Sequence, residues 1–283
     1  LKHCMGYIDV AHAATGRSSR LFRQSWLPDG EARGVLILVH GFGEHSGRYV
    51  HVARYFTERG FAVYTIDHEG HGKSDGTPGY VDRFSVYLDG VSELVHRARA
   101  EQGSAPLFLV GHSMGGLIAA AYLEDHQDEF AGCILSGPAL ASDAAPSSWL
   151  RAINRLLSVV LPKLGIIRLD ATGVSRDTNV VERYLADPLV FKGKLTARLV
   201  DELLAQADTV MANAGRIRLP ILLLHGEADR LTAPSGSSAL YEAVGSDDKT
   251  LRIYPGLFHE IFNEPEKEQV FTDMHTWLEQ HRT

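Results

Sequence analysis

Four apolar residues, a turn bracketed by glycines and a strong helix start follow one another without a break in Leu107-Phe108-Leu109-Val110-Gly111-His112-Ser113-Met114-Gly115-Gly116-Leu117-Ile118-Ala119-Ala120-Ala121. A run that is apolar throughout suits a strand buried on both faces, as in a parallel sheet covered by helices. A chain that passes from such a strand straight into a helix must turn sharply, and the glycines at 111 and 115 leave room for strand and helix to approach. The residue at the tip, Ser113, then projects from the end of the sheet with a helix N-terminus beneath it.

The pattern Gly-X-Ser-X-Gly is weak alone, because with 27 glycines composition gives roughly 0.2 chance matches. A second match, Gly72-Lys73-Ser74-Asp75-Gly76, follows a polar loop and runs into Thr77-Pro78-Gly79, which cannot continue as a helix. Context therefore selects Ser113 as a candidate nucleophile and leaves Ser74 as a turn residue.

The rest of the chain repeats the same alternation. Apolar runs predict strands at 34–40, 61–66, 131–135 and 221–224, a further strand is expected at 250–254, and amphipathic spacing predicts helices over 48–59, 84–100, 237–244 and from 265 onward. This is the sequence of an α/β fold with a mostly parallel central sheet and helices on both faces. Between 139 and 215 the alternation lapses into helical patterns with no convincing strand. The expected organisation is a core of residues 1–138 and 216–283, with 139–215 inserted as a helical lid over the strands' carboxyl ends, where open α/β sheets bind ligands.

A serine needs a base, and the base needs an orienting carboxylate. In folds with this elbow they follow in the order serine, acid, histidine. The segment Ile221-Leu222-Leu223-Leu224-His225-Gly226-Glu227-Ala228-Asp229 ends a buried strand in a loop with two carboxylates. Asp229 lies deeper in the loop and is preferred, with Glu227 as the alternative. Of fourteen histidines only His259, His275 and His281 follow Asp229, and the last two fall in the C-terminal helix. His259, just past the strand at 250–254, is the candidate base. A tetrahedral oxyanion would need two backbone donors. Met114, after the serine, supplies one, and Phe42 in His40-Gly41-Phe42-Gly43 supplies the other from the loop after an earlier strand.

Composition narrows the partners. A net charge of -7 and a pI near 6.0 disfavour nucleic acid, whose phosphates need a basic surface. Cys4 and Cys133 give neither a disulfide framework nor a metal-spaced pair, and His68-X-X-His71 near His40 and His45 suits a tight loop better than a metal site. No metal and no cofactor are expected. No stretch approaches the roughly 20 apolar residues that span a bilayer, which points to the cytoplasm. The chain begins at Leu1, leaving a removed leader open. Glu44 and Arg48, four apart at a helix start, fit helix stabilisation and a binding role equally.

The motifs His40-Gly41-Phe42-Gly43-Glu44-His45-Ser46-Gly47-Arg48-Tyr49, Asp67-His68-Glu69-Gly70-His71-Gly72-Lys73-Ser74, Gly111-His112-Ser113-Met114-Gly115-Gly116, Tyr184-Leu185-Ala186-Asp187-Pro188-Leu189, His225-Gly226-Glu227-Ala228-Asp229-Arg230 and Gly256-Leu257-Phe258-His259-Glu260 resemble the monoacylglycerol lipases of the α/β-hydrolase superfamily. The resemblance spans nearly the whole chain, and related lysophospholipases and carboxylesterases share much of it. It implies an enzyme that cleaves monoacylglycerols, with Ser113, Asp229 and His259 as a catalytic triad and Phe42 and Met114 as oxyanion donors. It further implies that Glu44, Arg48, His112 and Tyr184 line or support a polar pocket for the glycerol head. Phe42 departs from the small residue common at its position.

Within the lid, Trp149, Ile153, Leu156, Leu157, Val160 and Leu161 form one apolar stripe, ended by Pro162. Two readings fit: a stripe packed on lid and core, or a surface that dips into lipid and attaches the protein peripherally to membranes.

Overall fold

The computed structural model describes residues 1–140 and 147–282, so residues 141–146 of the expected lid lie outside the described residues. Eight strands form one sheet in the order β1 (Lys2–His12), β2 (Arg17–Leu27), β4 (Phe61–Ile66), β3 (Gly34–Val39), β5 (Leu107–His112), β6 (Gly132–Ser136), β9 (Ile221–Gly226) and β10 (Lys249–Tyr254). Only β2 runs against its neighbours, and every pair from β4 to β10 is parallel. The strands expected from continuous apolar runs are the central ones, and the strand expected at 250–254 is β10, at the sheet edge. Every residue of β3, β4, β5, β6 and β9 is buried, because helices cover both faces.

Two apolar layers result. Against one face lie α2 (Ser85–Gln102) and α3 (Met114–His126), with Tyr87, Leu94, Leu117 and Ile118 in the core. Against the other lie α1 (Val50–Thr57) and the C-terminal helix α8 (Lys267–His281), with Phe56, Phe108, Phe271 and Trp277. The helix expected over 48–59 begins as a 3-10 turn at Ser46–Tyr49 before α1. The helix expected at 237–244 starts earlier, as α7 (Pro234–Ala243), because proline is tolerated in a first turn that needs no N–H there.

The insertion between β6 and β9 carries α4 (Ser148–Val160), α5 (Thr178–Ala186) and α6 (Ala197–Asn213). It also holds a two-stranded ribbon of β7 (Gly165–Ile167) and β8 (Leu195–Thr196), which corrects the expectation of no strand there. The ribbon is made by backbone pairing over two or three residues, too few for any alternation to register.

α4 is inverted. Asn154 and Ser158 are its buried residues, bonded to Ala197 O and to Asp201 on α6, while Trp149, Ile153, Leu156, Val160 and Leu161 are exposed. The apolar stripe therefore faces outward, with only Leu157 partly covered. Among the described residues no helix is long and apolar enough to cross a membrane.

Candidate active site

Ser113 sits between β5 and α3 at φ 55° and ψ −120°, the one non-glycine residue with positive φ among those described. Such a conformation costs on the order of 1–3 kcal/mol and persists only where surrounding structure imposes it. Here Ser113 N donates to Ser136 O on β6, and Ser113 O accepts from Ala139 N and from the first turn of α3. The bracketing glycines cannot be replaced: a Cβ on Gly111 would stand 2.4 Å from Gly115 O, and one on Gly115 would stand 2.1 Å from Val39 O. Ser74 is elsewhere, its hydroxyl donating to Asp67 O and accepting from Phe22 N.

The strand ends β9 and β10 deliver the other two residues. His259 Nδ1 donates to Asp229 Oδ2 at 2.6 Å. Asp229 Oδ2 also accepts from His225 Nε2 and the Thr232 hydroxyl, and its Oδ1 accepts from Leu231 N and Thr232 N. Burial would raise the Asp229 pKa, but the bonds from His225 and His259 outweigh it and hold the carboxyl well below the usual range. Burial likewise opposes a charged His259, yet Asp229, with Glu260 and Glu44, raises its pKa above the ordinary value. Glu227, the alternative acid, instead accepts from Gly256 N at the surface.

Ser113 and His259 line one cavity of about 130 Å³, together with Phe42, Met114, His112, Glu44 and Tyr184. Among the described residues no hydrogen bond joins Ser113 to His259, and such contacts commonly tighten only with substrate in place. The backbone N–H groups of Phe42 and Met114 have no acceptor among the described residues. Free donors beside a half-buried serine suit a developing oxyanion.

The remaining sequence candidates divide. His112 packs on His259 with ring centroids 4.7 Å apart, bonds Ser136 Oγ, and is held neutral by burial. Tyr184 reaches the cavity from α5 and stacks on the Arg48 guanidinium. Arg48 lies behind Tyr184, in a neighbouring polar pocket, and is committed to Glu44 and to a bidentate pair with Glu260. The sequence does not single out Glu260, which lines the same cavity as Ser113 and His259, or His225, which braces Asp229. Their signals were adjacency to His259 and a polar residue closing an apolar strand.

The loop histidines are structural. His40 Nδ1 donates to Gly41 O and its Nε2 accepts from His68 N, while burial lowers His40 to about 4 and His71 to about 3. Among the described residues no three or more His, Cys, Asp or Glu side chains are grouped so that they could hold a metal ion. The insertion meets this loop directly, with Phe191 N on Gly43 O and His45 Nε2 on Asp187.

A family model described as serine aminopeptidase, S33 matches residues 30–266. The chain is 39% identical over 262 residues to a monoacylglycerol lipase of Mycolicibacterium smegmatis, covering 93% of this chain and 94% of that one. It is 34% identical to the human monoglyceride lipase, over 97% of this chain and 91% of the relative. The solved monoacylglycerol lipase of Paleococcus ferrophilus superposes with a TM-score of 0.83 at 34% identity, covering 92% of this chain and 99% of the other. Elbow, sheet order and relatives agree, and the chain belongs to the monoacylglycerol lipase family of the α/β-hydrolase superfamily.

Proposed function

We propose that this protein hydrolyses monoacylglycerols to glycerol and fatty acid through an acyl-enzyme, with Ser113 as nucleophile. The observation that carries the reading is the convergence on one cavity of a strained serine, an aspartate-held histidine and two unpaired backbone donors. His259 takes the Ser113 proton as Oγ attacks the ester carbonyl, and the Phe42 and Met114 N–H groups receive the oxyanion. His259 then passes the proton to the departing glycerol oxygen. Water, deprotonated by the same imidazole, releases the fatty acid. Asp229 fixes the tautomer and stabilises the imidazolium.

The cavity has a polar side, where Glu44, His112 and Tyr184 would receive the glycerol head with Arg48 in support, and an apolar side at Leu169, Leu195 and Leu203 for the acyl chain. In this reading residues 139–215 act as the lid, and the outward face of α4 docks into lipid. The proposed location is the cytoplasm with peripheral attachment to membranes, in keeping with two cysteines that form no disulfide.

The test is turnover of monoolein by the pure protein, with a fluorophosphonate probe as the companion measurement. Labelling of wild type and not of Ser113→Ala supports the nucleophile. If monoolein is cleaved no faster than a simple soluble ester, and Glu44→Gln or Tyr184→Phe leaves that rate unchanged, the glyceride assignment fails.

A further inference from the structure

Two buried carboxylates share one cation on the polar side of the catalytic cavity. Glu44 and Glu260 both line it and are 4% and 5% exposed. Glu44 Oε1 accepts from Gly41 N at 2.7 Å and from the Tyr49 hydroxyl, and its Oε2 accepts from Arg48. Glu260 accepts from both Arg48 terminal nitrogens and, through Oε2, from Asn263 Nδ2. Every partner is a donor, so both carboxylates are engaged here purely as acceptors. One guanidinium faces two carboxylates, so by formal charge the trio carries one negative charge in excess.

The other groups around the trio do not cancel it. His112 and His51 are kept neutral by burial, and His259, whose pKa is raised against burial by Asp229, Glu260 and Glu44, is paired with Asp229 through its Nδ1. Arg183 and Lys267 belong to the neighbouring pocket beyond Arg48. Tyr184, which faces both carboxylates, has its pKa raised by burial and then by Glu260 and Glu44, against the opposing effect of Arg48.

We propose that Glu260 is a specificity-determining residue: together with Glu44 it makes the alcohol side of the cavity an acceptor-rich, negatively charged wall that takes neutral polyol head groups and rejects anionic ones. The proposal rests on the acyl-ester reading given above. An ionised carboxylate offers about four lone-pair sites, and each of these two has three occupied. What remains can only accept, which matches the hydroxyls of a polyol. A phosphate or carboxylate head brings acceptors and charge of the same sign into a site shielded from water, where repulsion is weakly screened. The wall is close to the chemistry, since a point beside Gly41 lies 2.9 Å from Glu44 Oε1 and 3.0 Å from Ser113 Cβ. Glu260 contributes the charge in excess of the Glu44–Arg48 pair without holding the oxyanion loop itself.

The experiment compares 1-butyrylglycerol with 1-butyrylglycerol 3-phosphate, soluble esters that need no lipid surface. Wild type should favour the neutral ester by at least about 100-fold in kcat/KM, the equivalent of about 2.7 kcal/mol. Glu260→Gln should cut that preference at least tenfold, mainly through a lower KM for the phosphate ester, and Glu260→Asp should restore it. A wild type without preference overturns the proposal even if no variant folds. So does a Glu260→Gln protein that cleaves the neutral ester and keeps the wild-type ratio. Failure to cleave monoolein sinks the monoacylglycerol reading alone, and the butyryl ratio still judges the charge; a wild type that cleaves neither butyryl ester overturns the charge proposal alone, and monoolein still judges the monoacylglycerol reading.

Discussion

α3 and α4 are both thirteen residues long and carry many apolar side chains, and they put them in opposite places. In α3, Met114 through Leu123 are all buried, and polar residues wait until its last turn. In α4 the buried residues are Asn154 and Ser158, and the apolar stripe meets solvent, with Trp149 63% and Leu156 65% exposed. An apolar residue that faces the sheet stabilises the fold, while an exposed patch of this kind marks an interaction surface. The lesson is that hydrophobic periodicity locates a helix and does not say which side of it the protein uses.

The contrast can be broken most severely at the tip of α3. Ser113→Ala should reduce kcat on the order of 10⁵- to 10⁶-fold while thermal unfolding stays near wild type, measured by ester turnover and a melting curve. Gly115→Ala should instead damage the fold, because its Cβ would stand 2.1 Å from Val39 O. Denaturant titration should register a loss above about 4 kcal/mol, or no soluble protein.

Acid should act on the buried side next. His40 and His71 stay neutral in the fold down to about 4 and about 3, and His68 is lowered as well, all through burial. The unfolded chain protonates near 6.5, so stability is complete above that pH and falls as pH drops below it, by about 1.4 kcal/mol per unit for each histidine. Denaturant midpoints at pH 7 and pH 5 check this, and equal midpoints would refute it. For activity the sign involves His259, whose pKa is raised by Asp229 against burial. It must be neutral to act as base, so kcat/KM should rise with pH through a midpoint above 6.5.

The outer side of α4 should answer differently. Trp149→Glu with Leu156→Glu should weaken binding to lipid vesicles at least tenfold and slow turnover of dispersed monoolein, and butyrylglycerol turnover should not change. The same pair should alter unfolding free energy by no more than about 0.5 kcal/mol, the smallest effect in the series. A large loss of stability would mean that the stripe packs on something after all.

How much was legible follows the same physics. β3, β4, β5 and β9 declared themselves because both faces are buried and whole runs are apolar. β1 did not, because it lies at the sheet edge and only its second half alternates between exposed and buried. That Ser113, His259 and Asp229 come together could be expected from what precedes and follows each in the chain, and the structure does bring them to one site. Glu260 could not be read for its role, since its partner Arg48 is 212 residues away and only folding brings them together. Arg48 was legible as a polar-pocket residue, but its commitment to two carboxylates was not.

The strained backbone at Ser113 has a consequence for how the protein comes into being. Its conformation is held by Ser136 O on β6, by Ala139 N beyond it, and by the fit of Gly115 against the end of β3. Beyond the local bonds from the first turn of α3, these supports come from elsewhere in the sheet, so the elbow is fully braced only when three neighbouring strands are aligned. A nascent or partly unfolded chain therefore lacks the organised elbow, and with Ser113 as the proposed nucleophile, ester cleavage should report a completed central sheet.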